Sequence, residues 1–149
     1  MAEILERINA KYFFKMVMNE LKNVFKEGAE KIKINEDQLD KLIEELKNKI
    51  KIVDDKIKSY KDKGVPTRYK DFRESLNNVK EHLENIKEAE DPTEHIKALK
   101  NDLVKLSKLT GKEKLTVFGV YSTFFLILTG ILTAIIVPSL KHKTKKKKK

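Results

Sequence analysis

Residues 115–140 read LTVFGVYSTFFLILTGILTAIIVPSL, and residues 141–149, KHKTKKKKK, follow at once. The first of these segments carries no charge; in the second, seven of nine residues are lysine. As an α-helix the uncharged run is roughly 39 Å long at 1.5 Å per residue, against roughly 30 Å for the hydrocarbon core of a bilayer. One span fits and two do not. The strongly apolar residues between Val117 and Val137 sum to about 4 to 8 kcal/mol in favour of insertion. The competing reading, a buried core helix, needs apolar cover that so short a chain is not expected to supply.

Working outward, the charge is divided unevenly. All 23 acidic residues precede Leu115, as do 26 of the 33 basic ones, so residues 1–114 carry +3 and the tail adds +7 to the total of +10. The basicity is mostly terminal. No basic patch interleaved with aromatics lies outside the tail, so no nucleic acid partner is expected. The absence of cysteine excludes disulfides, zinc-thiolate sites and thiol nucleophiles. The apolar cluster Tyr12 to Met18 is interrupted by Lys15 and preceded by Glu3, Glu6 and Arg7, so it does not read as a cleavable secretory signal.

Upstream of the uncharged run the pattern is helical throughout. A first helix, about residues 2–32, carries Ile4, Leu5, Ile8, Tyr12, Phe13, Met16, Val17, Leu21, Val24 and Phe25 on a broad stripe, with Gly28 ending or loosening it. Asn35-Glu-Asp-Gln38 has the form of a capping box opening a second helix. Leu39, Ile43, Leu46, Ile50, Val53, Ile57 and Tyr60 then alternate by four and three, a heptad seam. Gly64-Val65-Pro66 ends it, and Tyr69, Phe72, Leu76, Val79, Leu83 and Ile86 repeat the seam in a third helix. Asp91-Pro92-Thr93-Glu94 supplies a cap and a first-turn proline for a fourth, with Ile96, Leu99, Leu103 and Leu106 as its stripe.

Folding the chain back at Gly64-Val65-Pro66 brings the seams into register, from Tyr60 opposite Tyr69 to Ile43 opposite Ile86. The flanking pairs Asp54 with Arg73 and Asp40 with Lys87 are attractive, while Lys47 with Lys80 is repulsive. The expected fold is therefore all-α: an antiparallel bundle of three to four helices on a central heptad hairpin over residues 1–110, a linker and transmembrane helix over 111–140, and a lysine-rich tail over 141–149.

Candidate chemistry is sparse. Of His82, His95 and His142, neither His82 nor His95 has a histidine at i+4, and only His95 has a carboxylate, Asp91, four residues before it, so both read as surface or bundle-edge residues. No glycine-rich phosphate loop exists. No catalytic residue, metal site or cofactor is expected, and the chain does not read as an enzyme. Partner binding is expected on the first helix, where Phe13, Phe14, Met16, Val17 and Met18 crowd both sides of any narrow stripe. Within the span, Gly119 with Thr123 and Gly130 with Ala134 are small residues spaced by four, which let helix backbones approach closely in lipid. Lys141, Lys143, Lys145, Lys146, Lys147, Lys148 and Lys149 are expected at lipid headgroups, each worth about 1 kcal/mol near an anionic surface.

In layout the chain resembles tail-anchored membrane proteins, in which one C-terminal span follows a helical domain. The resemblance implies a single-pass protein; the bundle is expected on the cytoplasmic side because exporting a charged domain of 114 residues with no signal is harder than passing nine tail residues, although the positive-inside rule leans toward a cytoplasmic tail. The expected role is that of a tether, adaptor or small accessory subunit whose partners are the lipid bilayer and another protein or membrane complex. The alternative is a membrane-active homo-oligomer, a pore or a fusion factor resembling SNARE proteins. Asp91-Pro92 departs from that family by breaking the helical run well short of the membrane.

Overall fold

The computed structural model describes residues 2–26, 32–61, 63–110 and 119–141, and among these every regular element is helical. Helix α1 is Ala2–Lys26, α2 Glu36–Ser59, α3 Thr67–Glu88 and α4 Thr93–Leu109. Helix α5 begins as Val120–Ile131, widens into a single π-helical stretch at Leu132–Ile136, and continues in α form to residue 141.

The α2/α3 contacts follow the register that the heptads predict. Leu39, Ile43, Leu46, Ile50 and Val53 of α2 are buried, as are Tyr69, Phe72, Leu76, Val79, Leu83 and Ile86 of α3. Arg73 Nε donates to Asp54 Oδ1 at 2.5 Å and Lys87 Nζ to Asp40 Oδ1 at 2.6 Å. The Tyr60 and Tyr69 rings meet edge to face, 5.7 Å apart. Across these pairs the residue number rises along one helix as it falls along the other. The turn between them is closed by Gly64 at φ 75°, a left-handed conformation that glycine adopts without a Cβ clash.

Cap chemistry sets the other boundaries. Asn35 Oδ1 accepts from the Gln38 amide at 3.3 Å and opens α2. Asp91 Oδ1 accepts from both the amide and the hydroxyl of Thr93, at 3.0 and 2.6 Å, and these two bonds hold its carboxyl below the usual carboxylate range. Helix α4 then lays Ile96, Leu99, Leu103 and Leu106 against α3.

Two expectations are revised. Helix α1 is described as far as Lys26, the expected break at Gly28 lies outside the described residues, and Ile32 is buried outside any helix. Helix α1 also packs mainly against α5 and α4 rather than on the α2/α3 hairpin. Of its described side chains Ala10, Val17, Leu21 and Val24 are buried, while Tyr12 is 71% and Met16 41% exposed. The stripe is thus turned toward Phe14 and Met18, because what it covers is the uncharged helix.

That helix finds its cover within the chain. Helix α5 lies against α1, α2 and α4, and 56% of its most apolar window is buried, so the short chain does supply apolar neighbours. Val120, Phe124, Ile127, Leu128, Ile131, Ala134, Ile135 and Ile136 join the same buried cluster as the α2/α3 seam. Ser122 and Thr129 face outward. Val120–Lys141 is nonetheless 22 residues long, the one described helix long and apolar enough to cross a membrane.

Candidate functional site

The residues that matter most line the bed on which α5 rests. Glycine at position 130 allows the closest approach. A Cβ built there would meet Leu42 Cδ2 at 2.6 Å and Cδ1 at 2.9 Å, so α2 sits against the bare backbone of α5. Beside this crossing runs a cleft of about 170 Å³ between Lys41, Leu42 and Glu45 on one side and Leu126, Thr129 and Thr133 on the other.

Further along α5, Pro138 determines the next contact. In a regular helix the Ala134 carbonyl would accept from the amide of residue 138, and proline has none. The carbonyl is freed, and the Asn35 amide donates to it at 2.7 Å. The π turn at Leu132–Ile136 lies just before this proline, where widening relieves the clash of its ring with the preceding turn. Proline 138 is therefore accommodated within the helix rather than marking its end. At the next residue, the Lys33 amide donates to Ser139 Oγ at 3.0 Å, while the Ser139 hydroxyl donates to the Ile135 carbonyl at 2.7 Å. Two backbone amides before α2 are thus satisfied by the C-terminal half of α5.

The sequence-chosen residues fall around this bed in different ways. Phe13 stacks on Phe125 with centroids 5.7 Å apart, and Phe14 meets Phe124 at 5.6 Å. Val17 is fully buried, Met18 half-buried and Met16 exposed. Of the small-residue pairs, Gly130 and Ala134 face α2, at Leu42 and Asn35. Gly119 instead precedes α5 at φ 65°, a turn residue whose carbonyl accepts from the Thr123 amide and hydroxyl at 2.8 and 2.9 Å. Lys141 is exposed at the end of the helix, and Lys143, Lys145, Lys146, Lys147, Lys148 and Lys149 lie outside the described residues.

One polar pair between α3 and α4 escaped the sequence reading. His82 on α3, expected at the surface or bundle edge, is partly exposed, and its Nε2 lies 2.9 Å from Oδ2 of Asp102, a buried residue of α4. Among the described residues Asp102 Oδ2 and His82 Nδ1 are left without a hydrogen-bond partner. Burial raises the Asp102 carboxyl above the usual carboxylate range, and nearby His82 and Lys105 offset part of the rise. The partner comes from another helix, so no local spacing announces it. The usable signal was Asp102 itself, a charge adjoining the Leu99-Leu103-Leu106 stripe.

Among the described residues no group of three or more histidine or acidic side chains is arranged to hold a metal ion. Compared with protein-family models, curated protein sequences and solved structures, the chain matches none.

Proposed function

We propose that this chain is a non-catalytic, tail-anchored membrane protein. In this reading the segment 120–141 crosses the bilayer once, α1–α4 form an antiparallel bundle on the cytoplasmic side, and the bundle serves as a tether, adaptor or small accessory subunit. The observation that carries the reading is the apolar helix Val120–Lys141 running into a lysine-rich tail. The docked position of α5 adds a second address for the same helix, one that keeps it out of water before a bilayer takes it.

The energetics give the adaptor role its reason. Insertion of the uncharged run is worth about 4 to 8 kcal/mol. Withdrawing α5 uncovers the face of α1 that carries Phe13, Phe14 and Val17; at about 1.5–3 kcal/mol for the fully buried Val17 and half that for each half-buried ring, the cost is roughly 3–6 kcal/mol. The two figures are of similar size, so a second surface that covers α1 shifts the balance toward the inserted form. A partner protein docking on Phe13, Phe14 and Val17 supplies that surface.

Alkaline carbonate extraction of native membranes tests the anchor: the full-length protein is expected to stay with the membrane pellet, and its complete release would refute the reading. Protease added to sealed vesicles of known sidedness tests orientation, with a tag at residue 1 expected to be lost only from inside-out vesicles.

A second reading is favoured by the burial of α5 and by the Asn35 to Ala134 bond: a water-soluble five-helix protein with α5 as a permanent core element. Complete carbonate release together with a monomer in detergent-free buffer would establish it. A homo-oligomeric pore or fusion factor requires Gly130 and Ala134 to leave α2 for a second copy; crosslinks between copies through these residues in native membranes would favour it.

A further inference from the structure

We infer that the slot between α1, α4 and α5 binds a single-chain anionic amphiphile, a medium-chain fatty carboxylate with its tail inside and its headgroup at the rim. The slot has a volume of about 400 Å³, with Ala10, Phe14 and Phe124 as its apolar wall. This is within the roughly 300–1,000 Å³ of small-molecule sites. At roughly 30 Å³ per water-sized group it holds about a dozen methylenes, one acyl chain and not two.

The rim sets the charge of the ligand. Lys11, Lys15 and Lys108 line the opening, and among the described residues no carboxylate does. None of the three ammonium groups makes an ion pair among the described residues. The slot's two hydroxyls are already committed, Ser107 Oγ donating to the Val104 carbonyl and Thr110 Oγ1 to the Ser107 carbonyl. The free donors at the mouth are therefore cationic, and the pocket behind them is greasy. Lys15 interrupts the apolar cluster Tyr12 to Met18, and at this rim it gains a role that a packed helix face would not give it. A neutral alcohol of the same length lacks the charge, and inorganic phosphate lacks the tail.

Phe124 belongs to α5, so the slot is complete only while α5 is docked. The test is accordingly done without vesicles or detergent, where failure of the membrane reading cannot affect it. Sodium laurate below its micellar concentration is titrated calorimetrically into the full-length protein. One site is expected, with dodecanol and dodecyltrimethylammonium at least about tenfold weaker, the scale of two or three exposed charge pairs. The double variant Lys11→Glu/Lys15→Glu changes exposed residues only and is checked by its thermal melt. It should weaken laurate by about tenfold or more and leave dodecanol unchanged. Equal binding of dodecanol, an unaltered laurate affinity in the folded double variant, displacement of laurate by inorganic phosphate alone, or no laurate binding at all would each overturn the proposal.

Discussion

Replacing Gly130 with alanine sets two effects of known size against each other. In a helix interior, glycine to alanine stabilises by about 0.8–1 kcal/mol through backbone entropy. In the docked arrangement the new methyl falls 2.6 Å from Leu42 Cδ2 and 3.0 Å from its Cγ, so the Leu42 side chain must move. Overpacking of this kind costs about 1–3 kcal/mol. The adjoining cleft of about 170 Å³ gives Leu42 room to swing, which favours the low end of that range. The net expectation for Gly130→Ala in water is a loss of roughly 0–1 kcal/mol where helix propensity alone gives a gain. Leu42→Ala alone removes a buried side chain and should cost about 2–5 kcal/mol. In the double variant the methyl introduced at position 130 enters the space that Leu42 vacates, so the combined loss should fall short of the sum by about 1–2 kcal/mol. Urea denaturation of all four proteins in detergent-free buffer measures this coupling. Additivity within about 0.5 kcal/mol, with Gly130→Ala stabilising in both backgrounds, would refute the contact and with it the docking of α5 on α2.

Further expectations follow from the same packing. Truncation after residue 110 should leave α2–α4 helical and cooperative but remove the chief cover of α1, seen as fast hydrogen exchange through residues 9–24 and a tendency to aggregate. Pro138→Ala restores an amide that competes for the Ala134 carbonyl, so exchange at the Asn35 amide should accelerate while α5 stays helical. For the polar pair between α3 and α4, His82→Ala leaves the Asp102 carboxylate without its partner and should cost about 1–3 kcal/mol. Asp102→Leu, which removes the buried charge, is expected to be neutral or stabilising by about 1–2 kcal/mol at pH 7. The sign of its pH dependence is set by the raised carboxyl: between the ordinary aspartate value, about 3.9, and its higher folded value, the native state holds the extra proton. Wild-type stability therefore falls as pH rises through that window, and the advantage of Asp102→Leu should fade below it in denaturation curves taken across pH.

The heptad seams were legible because α2 and α3 meet along stripes whose spacing is written into consecutive residues. Asp54 with Arg73 and Asp40 with Lys87 could be paired on paper once Gly64-Val65-Pro66 was taken as the turn. The caps at Asn35 and Asp91 were legible for the same reason, since a cap and its amide lie within three residues of each other.

What α5 rests on was not legible, because hydropathy records only that a segment avoids water and not which apolar medium it enters. A bilayer and a bed of Phe13, Phe14 and Leu42 leave the same mark on residues 115–140. Leu42 stood off the heptad seam with no local partner, His82 and Asp102 belong to different helices, and the slot ringed by Lys11, Lys15 and Lys108 draws on three helices. By itself the sequence determined that the chain is helical, the starts of α2 and α4 and the α2/α3 register, all set by interactions between near neighbours or across one turn. Only the tertiary structure decided that α1 turns toward α5 and that Gly130 takes Leu42, because those contacts join residues from opposite ends of the chain.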